Sequence, residues 1–168
     1  ASAYVARDGS LYGLRAGADV WLDAVEFERL VAEGDRLFDR DVEPALDCYR
    51  RALALYQGEY LSERPYADWC SEERERLLTL YLRAADRLAR VWVDRGEWEA
   101  AVEICRSILA HDDCWERAYR LLMTAYARSG DQAQVQRTYQ RCVERLRAEL
   151  DVEPAAETIR LYESISQP

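Results

Sequence analysis

The groups with the most evident chemical potential lie in one run near the middle of the chain, His111-Asp112-Asp113-Cys114. A thiol, an imidazole and carboxylates are the parts of a nucleophilic triad. Such triads are assembled in space around an activated nucleophile, so adjacency along the chain does not indicate one. A basic side chain near the C-terminal end of a helix interacts favourably with the helix dipole, which accounts for His111. We therefore predict that the protein is not an enzyme.

The cysteines and the single histidine give no pattern for a metal or a cofactor. The five cysteines form no Cys-x-x-Cys pair, and zinc-ligand spacing is absent. The sequence contains no lysine, which excludes a Schiff base and the lysine of a phosphate-binding loop. We predict no metal, no cofactor and reduced thiols, with Cys48, Cys105 and Cys142 buried as small apolar groups in helical stripes.

The charge balance limits the partners. The chain of 168 residues carries 32 acidic and 23 basic side chains, a formal net charge of −9. Such a surface is a poor match for a phosphate backbone. No apolar run approaches the roughly 18 residues that a membrane span needs, and no leader-like N-terminus is visible. We expect a soluble, cytoplasmic protein that contacts neither a membrane nor, through these residues, DNA.

The first sixteen residues differ from the rest. Aromatic and β-branched residues at positions 4–7 and 11–15 flank Asp8-Gly9-Ser10, a pattern that predicts a β-hairpin around an Asp-Gly turn. Because an isolated hairpin is marginally stable in water, we predict that residues 1–16 are the end of an upstream domain. Residues 17–168 are predicted to form a separate helical domain.

Helical periodicity begins at Asp23 and is interrupted by a looser segment, residues 59–67, and by a break at Asp151-Val152-Glu153-Pro154. We predict that Asp23 caps the first helix, with a glutamate three residues later as in a capping box. Three glycines are predicted to end helices: Gly58, Gly96 and Gly130. A short helix over residues 155–166 is predicted to cap the C-terminal end.

The second half of the chain repeats with a period of 34 residues. Five pairs share this spacing: Leu88–Leu122, Trp92–Tyr126, Gly96–Gly130, Ala101–Val135 and Cys105–Tyr139. Each copy predicts a helix, a glycine-containing turn and a second helix, and neither helix buries its apolar stripe alone. A weaker third copy, residues 45–53, matches residues 101–109. The sequence therefore predicts an all-α array of about three helix pairs after a short N-terminal β-hairpin.

Two resemblances follow from these residues. The 34-residue period resembles a degenerate tetratricopeptide (TPR) repeat. Longer motifs follow in order over roughly residues 20–166: Ala45-Leu46-x-x-Tyr49-x-x-Ala52-Leu53-x-Leu55-Tyr56-x-Gly58-x-Tyr60-Leu61, Trp69, Glu73-x-x-Arg76-Leu77, Leu121-Leu122-Met123-x-Ala125-Tyr126-x-x-x-Gly130 and Glu149-Leu150-x-Val152-Glu153-Pro154-x-x-Glu157-Thr158. With these motifs the chain resembles the bacterial transcriptional activation domain of SARP-type regulators, and the last motif is the most specific.

The resemblance implies a fold and a role. The fold is a right-handed TPR-like array of antiparallel helix pairs. The role is that of a regulator whose promoter DNA is bound by an OmpR-type winged helix upstream, of which Tyr4–Arg15 looks like the terminal wing hairpin. The array itself is then expected to self-associate or to engage the transcription machinery. The alternative is a generic TPR adaptor that binds peptide motifs in signalling or secretion.

One charge pattern suggests a binding groove. In a TPR array, selected positions of each unit's first helix line the concave face. These positions hold the predicted groove residues Arg83, Asp86, Arg90, Arg117, Arg120 and Arg128, together with Asp94 and Thr124. Guanidinium groups suit carboxylate or phosphate partners, so we predict an acidic peptide segment as the groove ligand. The alternative is that Asp86, Asp94 and nearby glutamates pair with these arginines and leave a neutral face.

Overall fold

Seven α-helices follow a β-hairpin in the computed structural model, which describes residues 5–9, 11–14, 21–63 and 68–166. The strands are β1 (Val5–Asp8) and β2 (Leu11–Leu14). The helices are α1 (Asp23–Phe38), α2 (Val42–Leu55), α3 (Ser71–Arg95), α4 (Trp98–His111), α5 (Glu116–Arg128), α6 (Gln132–Leu150) and α7 (Ala156–Ser166). A 3₁₀ turn, Asp68–Cys70, immediately precedes α3.

The predicted hairpin is confirmed, but Asp8, which was predicted in the turn, belongs to β1. The strands are antiparallel, and Asp8 is itself paired with Leu11. Gly9 follows with a φ of +61°, a conformation that glycine adopts without steric cost. Tyr4, Ser10 and Arg15 lie outside the described residues. Within the described part of the chain, the two strands contact each other and none of the helices.

The helices form two layers. Sequence neighbours pack as the pairs α1–α2, α3–α4 and α5–α6, and α7 packs on α5 and α6. The first helices of the pairs also contact one another, α1 with α3, α3 with α5, and α5 with α7. Among the described residues, the second helices α2, α4 and α6 make no contact with each other. The first helices therefore form one continuous layer, as in a TPR array, and the predicted all-α architecture is confirmed.

The turns within the second and third pairs are equivalent. Gly96 and Gly130 have φ angles of +78° and +82°. The amide after each glycine donates to the carbonyl five residues earlier, at 2.9 Å in one unit and 2.8 Å in the next, the bond of a Schellman motif. In the first pair, 56 residues upstream, Arg40 takes the place of Gly96; the helix ends at Phe38, and the flanking Asp39 has a φ of −82°. The first helix pair, which is the weaker copy of the repeat, therefore keeps the two helices but has a different turn between them.

The predicted cap at the start of α1 and the predicted end of α2 are both wrong. Helix α1 begins at Asp23 itself with Leu22 as the flanking residue, and the Asp23 carboxylate accepts a hydrogen bond from the amide of Ala24. Helix α2 ends at Leu55, before Gly58. Tyr56 lies just past the helix with a φ of −84° and a ψ of 81°, and its ring packs against the core.

The burial of residues that lie 34 positions apart confirms most of the predicted repeat. Leu88 and Leu122 are both buried, as are Ala101 and Val135. Trp92 and Tyr126 are both half-buried against the core. In the fifth pair, Cys105 is buried, whereas Tyr139 stacks on Tyr162 of α7 with ring centroids 3.9 Å apart. The last unit therefore uses its repeat position to hold the C-terminal helix.

The cysteines behave as the sequence predicts. Cys48, Cys105 and Cys142 are buried, and none of the five thiols forms a disulfide within the described residues. Burial raises the pKa of Cys105 and of Cys142 to about 12. These thiols therefore stay protonated and act as apolar packing groups.

Candidate functional site

The layer of first helices is joined by polar side chains, beginning at Asp35 on α1. The Asp35 carboxylate accepts from Arg83 at 2.7 Å and from Arg87 at 2.6 Å, both on α3. The buried Tyr49 of α2 donates to the same carboxylate at 2.7 Å. Burial is the main cause that raises the pKa of Tyr49 to about 12, so its hydroxyl remains a donor. Asp35 thus joins three helices.

A second contact between α1 and α3 shows how these helices run. Glu28 pairs with Arg76 at 2.6 Å, and this pair has the same sequence separation as Asp35 and Arg83. Two pairs at one separation mean that α1 and α3 are parallel. The N-terminal ends of both helices therefore lie at one end of the layer, where Trp21 and Trp69 are 66% and 76% exposed.

The junction between α3 and α5 is centred on a buried acid. The Asp86 side chain is 4% exposed and accepts from Arg117 at 2.9 Å. The indole nitrogen of Trp115 lies 3.5 Å from its other oxygen. A buried carboxylate requires such partners, because removing them would leave an uncompensated charge.

The junction between α5 and α7 is centred on Thr158, which is fully buried. Its hydroxyl accepts from Arg120 at 2.9 Å and donates to Glu116 at 2.7 Å. Glu116 also accepts the backbone amide of Ala155 at 2.9 Å, just before α7 begins. Arg120 reaches Glu157 at 3.5 Å as well. The C-terminal helix is therefore fixed by a connected set of hydrogen bonds to α5.

The six predicted groove residues fall into two groups. Four of them join helices to each other: Arg83, Asp86, Arg117 and Arg120. The remaining two, Arg90 and Arg128, are exposed and make no hydrogen bond or ion pair with the described residues. Pairing between carboxylate and arginine, the alternative noted from the sequence, thus occurs at Asp86. All six lie on α3 and α5, which are neighbours in the layer.

The His111–Cys114 run does not form a triad. The imidazole of His111 packs edge-on against the rings of Tyr56 and Tyr81, at centroid distances of 5.5 and 4.8 Å. The pKa of the Cys114 thiol is raised, first by burial and then by the adjacent Asp113 carboxylate. A nucleophilic cysteine needs a lowered pKa, so the environment works against activation.

One group of potential metal ligands occurs among the described residues. The ligand atoms of Asp112, Asp113 and Cys114 lie within 4.8 Å of one another. Asp113 is paired with Arg145 at 3.3 Å, and Asp112 accepts the amide of Cys114 at 2.9 Å. These interactions account for both carboxylates as parts of the α4–α5 turn.

The Asp35 junction was not found from the sequence. Asp35, Tyr49 and Arg87 do not recur at the 34-residue spacing, so the repeat gave no reason to select them. Gly34 is the signal that was available, since it precedes Asp35 within a helix, where glycine is unfavourable unless something packs closely. A Cβ at this position would lie 2.6 Å from the Tyr49 ring.

No helix in the described part of the chain is long and apolar enough to cross a bilayer. Helix pairs at a 34-residue spacing, equivalent glycine turns and a continuous layer of first helices define a TPR-like helical repeat domain.

The chain belongs to the bacterial transcriptional activator domain family, which it matches over residues 22–166. It is 30% identical over 157 residues to the regulatory protein AfsR of Streptomyces coelicolor (strain ATCC BAA-471 / A3(2) / M145). This match covers 93% of the chain and 16% of that protein, so the chain spans a small part of its relative's length. The family is one of regulator domains and is not an enzyme family. The resemblance stated from the motifs is confirmed.

Proposed function

We propose that this array is the protein-contact domain of a cytoplasmic transcriptional regulator. It self-associates or engages the transcription machinery, while a winged-helix domain upstream binds promoter DNA. The observation that carries the proposal is the family match over residues 22–166. The net charge of −9 supports a division of labour in which DNA is bound elsewhere. The family match also favours the regulator over a generic peptide adaptor.

Exposed apolar side chains support a role in protein contacts. The largest of them in the described residues include Trp21, Leu22 and Val25 at the start of α1 and Trp69 just before α3. Clustered exposure of large apolar groups is typical of surfaces that meet another protein. The parallel arrangement of α1 and α3 puts all four at one end of the helix layer.

A reporter assay tests the role. The 168-residue chain is fused to an unrelated DNA-binding domain and placed upstream of a bacterial promoter. Activation of the reporter, together with light scattering that measures the mass of the free chain, is expected to show recruitment, self-association or both. A monomeric chain that leaves the reporter at its background level would refute the proposal.

The predicted groove is proposed as the site of an acidic partner segment, with Arg90 and Arg128, which pair with no described residue, as its cations. The double variant Arg90→Glu, Arg128→Glu is expected to lose reporter activation and to keep its unfolding free energy, because neither side chain is used within the fold. A matched control is Arg137→Glu, Arg141→Glu on α6, which makes the same charge change on two exposed arginines. Equal activity of the two double variants would exclude this groove.

A further inference from the structure

A cavity of about 500 Å³ opens beside the start of α1. Its walls come from the first residues of α1, the end of α2 and the loop of residues 56–63, with Leu77 of α3 completing them. This volume falls within the roughly 300–1,000 Å³ of sites that enclose small molecules. The junctions described above do not include any of the residues that line it.

Among the described residues, four aromatic side chains line the cavity. They are Trp21, Phe27, Tyr56 and Tyr60. The loop that carries Tyr60 is held in place, because the Nε of Arg74 donates to the Tyr60 carbonyl at 3.1 Å. Aromatic walls on an anchored loop are typical of a binding site that exists before its ligand arrives.

The charged groups in the described walls are all acidic. Asp23, Glu59 and Glu63 line the cavity, and no arginine does. Glu59 lies 3.8 Å from Arg74. Asp23 and Glu63 have no basic partner within the described part of the chain. Carboxylates attract a cation by charge, and aromatic faces attract it through the ring quadrupole, so both kinds of group favour a positively charged ligand.

We propose that this cavity binds a small organic cation, an ammonium or guanidinium group on an aromatic or alkyl body. The cationic group pairs with Asp23 and Glu63, and the body packs on Trp21 and Tyr60. A free small molecule is the assigned ligand, because the cavity volume matches that of sites that bind molecules of this size. The site lies apart from the predicted groove and does not depend on the proposed function, although it shares Trp21 with the exposed apolar side chains at this end of the helix layer.

Titration of the 168-residue chain, followed by amide NMR shifts, provides the test. The probe is phenethylammonium, compared with 3-phenylpropionate and 2-phenylethanol, which carry the same ring with a negative or no charge. Saturable shifts at the lining residues are expected for the ammonium probe. Its affinity is expected to exceed those of both analogues by about tenfold or more, since only the cation gains from the carboxylates.

Variants locate the site. The double variant Asp23→Asn, Glu63→Gln is expected to lower the affinity for the ammonium probe about three- to tenfold, because two partly exposed ion pairs are lost. Trp21→Ala is expected to weaken it about two- to fivefold through the lost ring contact. Glu72→Gln and Trp69→Ala are matched controls, since both residues are exposed and lie outside the lining. Circular dichroism verifies that each variant keeps its helices.

Several outcomes would overturn the assignment. Equal affinity for the three probes would mean a nonspecific apolar contact. Unchanged affinity in the Asp23→Asn, Glu63→Gln variant, or absence of saturable shifts, would exclude the site. Binding of N-acetyl-arginine amide without binding of free phenethylammonium would assign the cavity to the side chain of a protein partner and refute a small-molecule ligand.

Discussion

Gly34 and Tyr49 illustrate how single residues set the distance between helices. The Tyr49 ring lies where a side chain at position 34 would project, and its hydroxyl reaches Asp35 one residue further along. A glycine in a helix interior costs roughly 0.5–1 kcal/mol relative to alanine. The absence of a side chain lets the Tyr49 ring approach closely, and the packing and the hydrogen bond that this permits offset the cost.

Gly34→Ala is expected to destabilise the chain by about 1–3 kcal/mol, since the ring or the helix must move to admit the methyl group. Urea denaturation measures the change. Gly58→Ala is the control, because nothing lies within 4 Å of a Cβ at that position. A gain in stability for Gly34→Ala would mean that the ring moves freely, contrary to the packing described.

Tyr56 is the opposite case, since its hydroxyl is buried and has no hydrogen-bond partner among the described residues. Tyr56→Phe removes a desolvated polar group and keeps the ring contacts to Phe27 and Tyr81. We expect unfolding free energy that is unchanged or higher by up to about 1 kcal/mol. Tyr49→Phe is the comparison and is expected to cost about 1–3 kcal/mol, because the Asp35 carboxylate loses a donor. Similar losses in both variants would contradict this difference.

At the scale of elements, the attachment of α7 depends on a few polar atoms. Thr158 is the centre of the contact, and the stacked pair of Tyr139 and Tyr162 is the other part. Thr158→Val retains the shape and removes the hydroxyl, leaving Arg120 and Glu116 without their bridge. An element joined by few contacts opens with a smaller free energy than the core.

Thr158→Val is expected to raise amide hydrogen exchange throughout α7 by about tenfold, equivalent to 1–2 kcal/mol of local stability. Exchange in α1–α4 is expected to stay unchanged. Thr79→Val serves as the matched control, because within the described part of the chain the exposed Thr79 hydroxyl bonds only to its own helix. Uniform acceleration along the whole chain would show instead that α7 unfolds together with the array.

Local signals predicted much of this element structure. Helical periodicity and the glycines at 96 and 130 identified the second and third pairs, because turn chemistry acts over a few residues. The junction at Asp35 could not be predicted in this way, since it depends on how α1 is aligned against α3. The sequence also placed Arg83 and Arg117 on the layer of first helices, but their partners follow from tertiary geometry. The unpaired state of Arg90 is likewise a result of that geometry.

At the scale of the whole molecule, stability is expected to fall at alkaline pH. Burial raises the pKa of Cys105 and Cys142 from 9.0 to about 12, and that of Tyr49 and Tyr119 from 10.0 to about 12. Between these values the unfolded chain releases protons that the folded chain retains. These groups therefore leave the free energy of unfolding unchanged below about pH 8, and they lower it progressively as the pH rises toward 12.

Urea denaturation from about pH 7 to about pH 11 measures this loss. Each buried thiol contributes a slope of up to about 1.4 kcal/mol per pH unit. The variant Cys105→Ala, Cys142→Ala is expected to be less stable at neutral pH, because it creates cavities, and to show a shallower alkaline decline. An identical decline in the variant would mean that the thiols do not cause it.

The three junctions in the layer of first helices differ in their chemistry, although the backbone repeats. Asp86 is followed 34 residues later by Arg120, so equivalent positions carry opposite charge. Were one helix pair to dock in a neighbour's place, an arginine would meet another arginine, or a buried carboxylate would be left without a donor. The charges of these side chains therefore fix the order of the units, and they protect a chain of similar segments from assembling out of sequence.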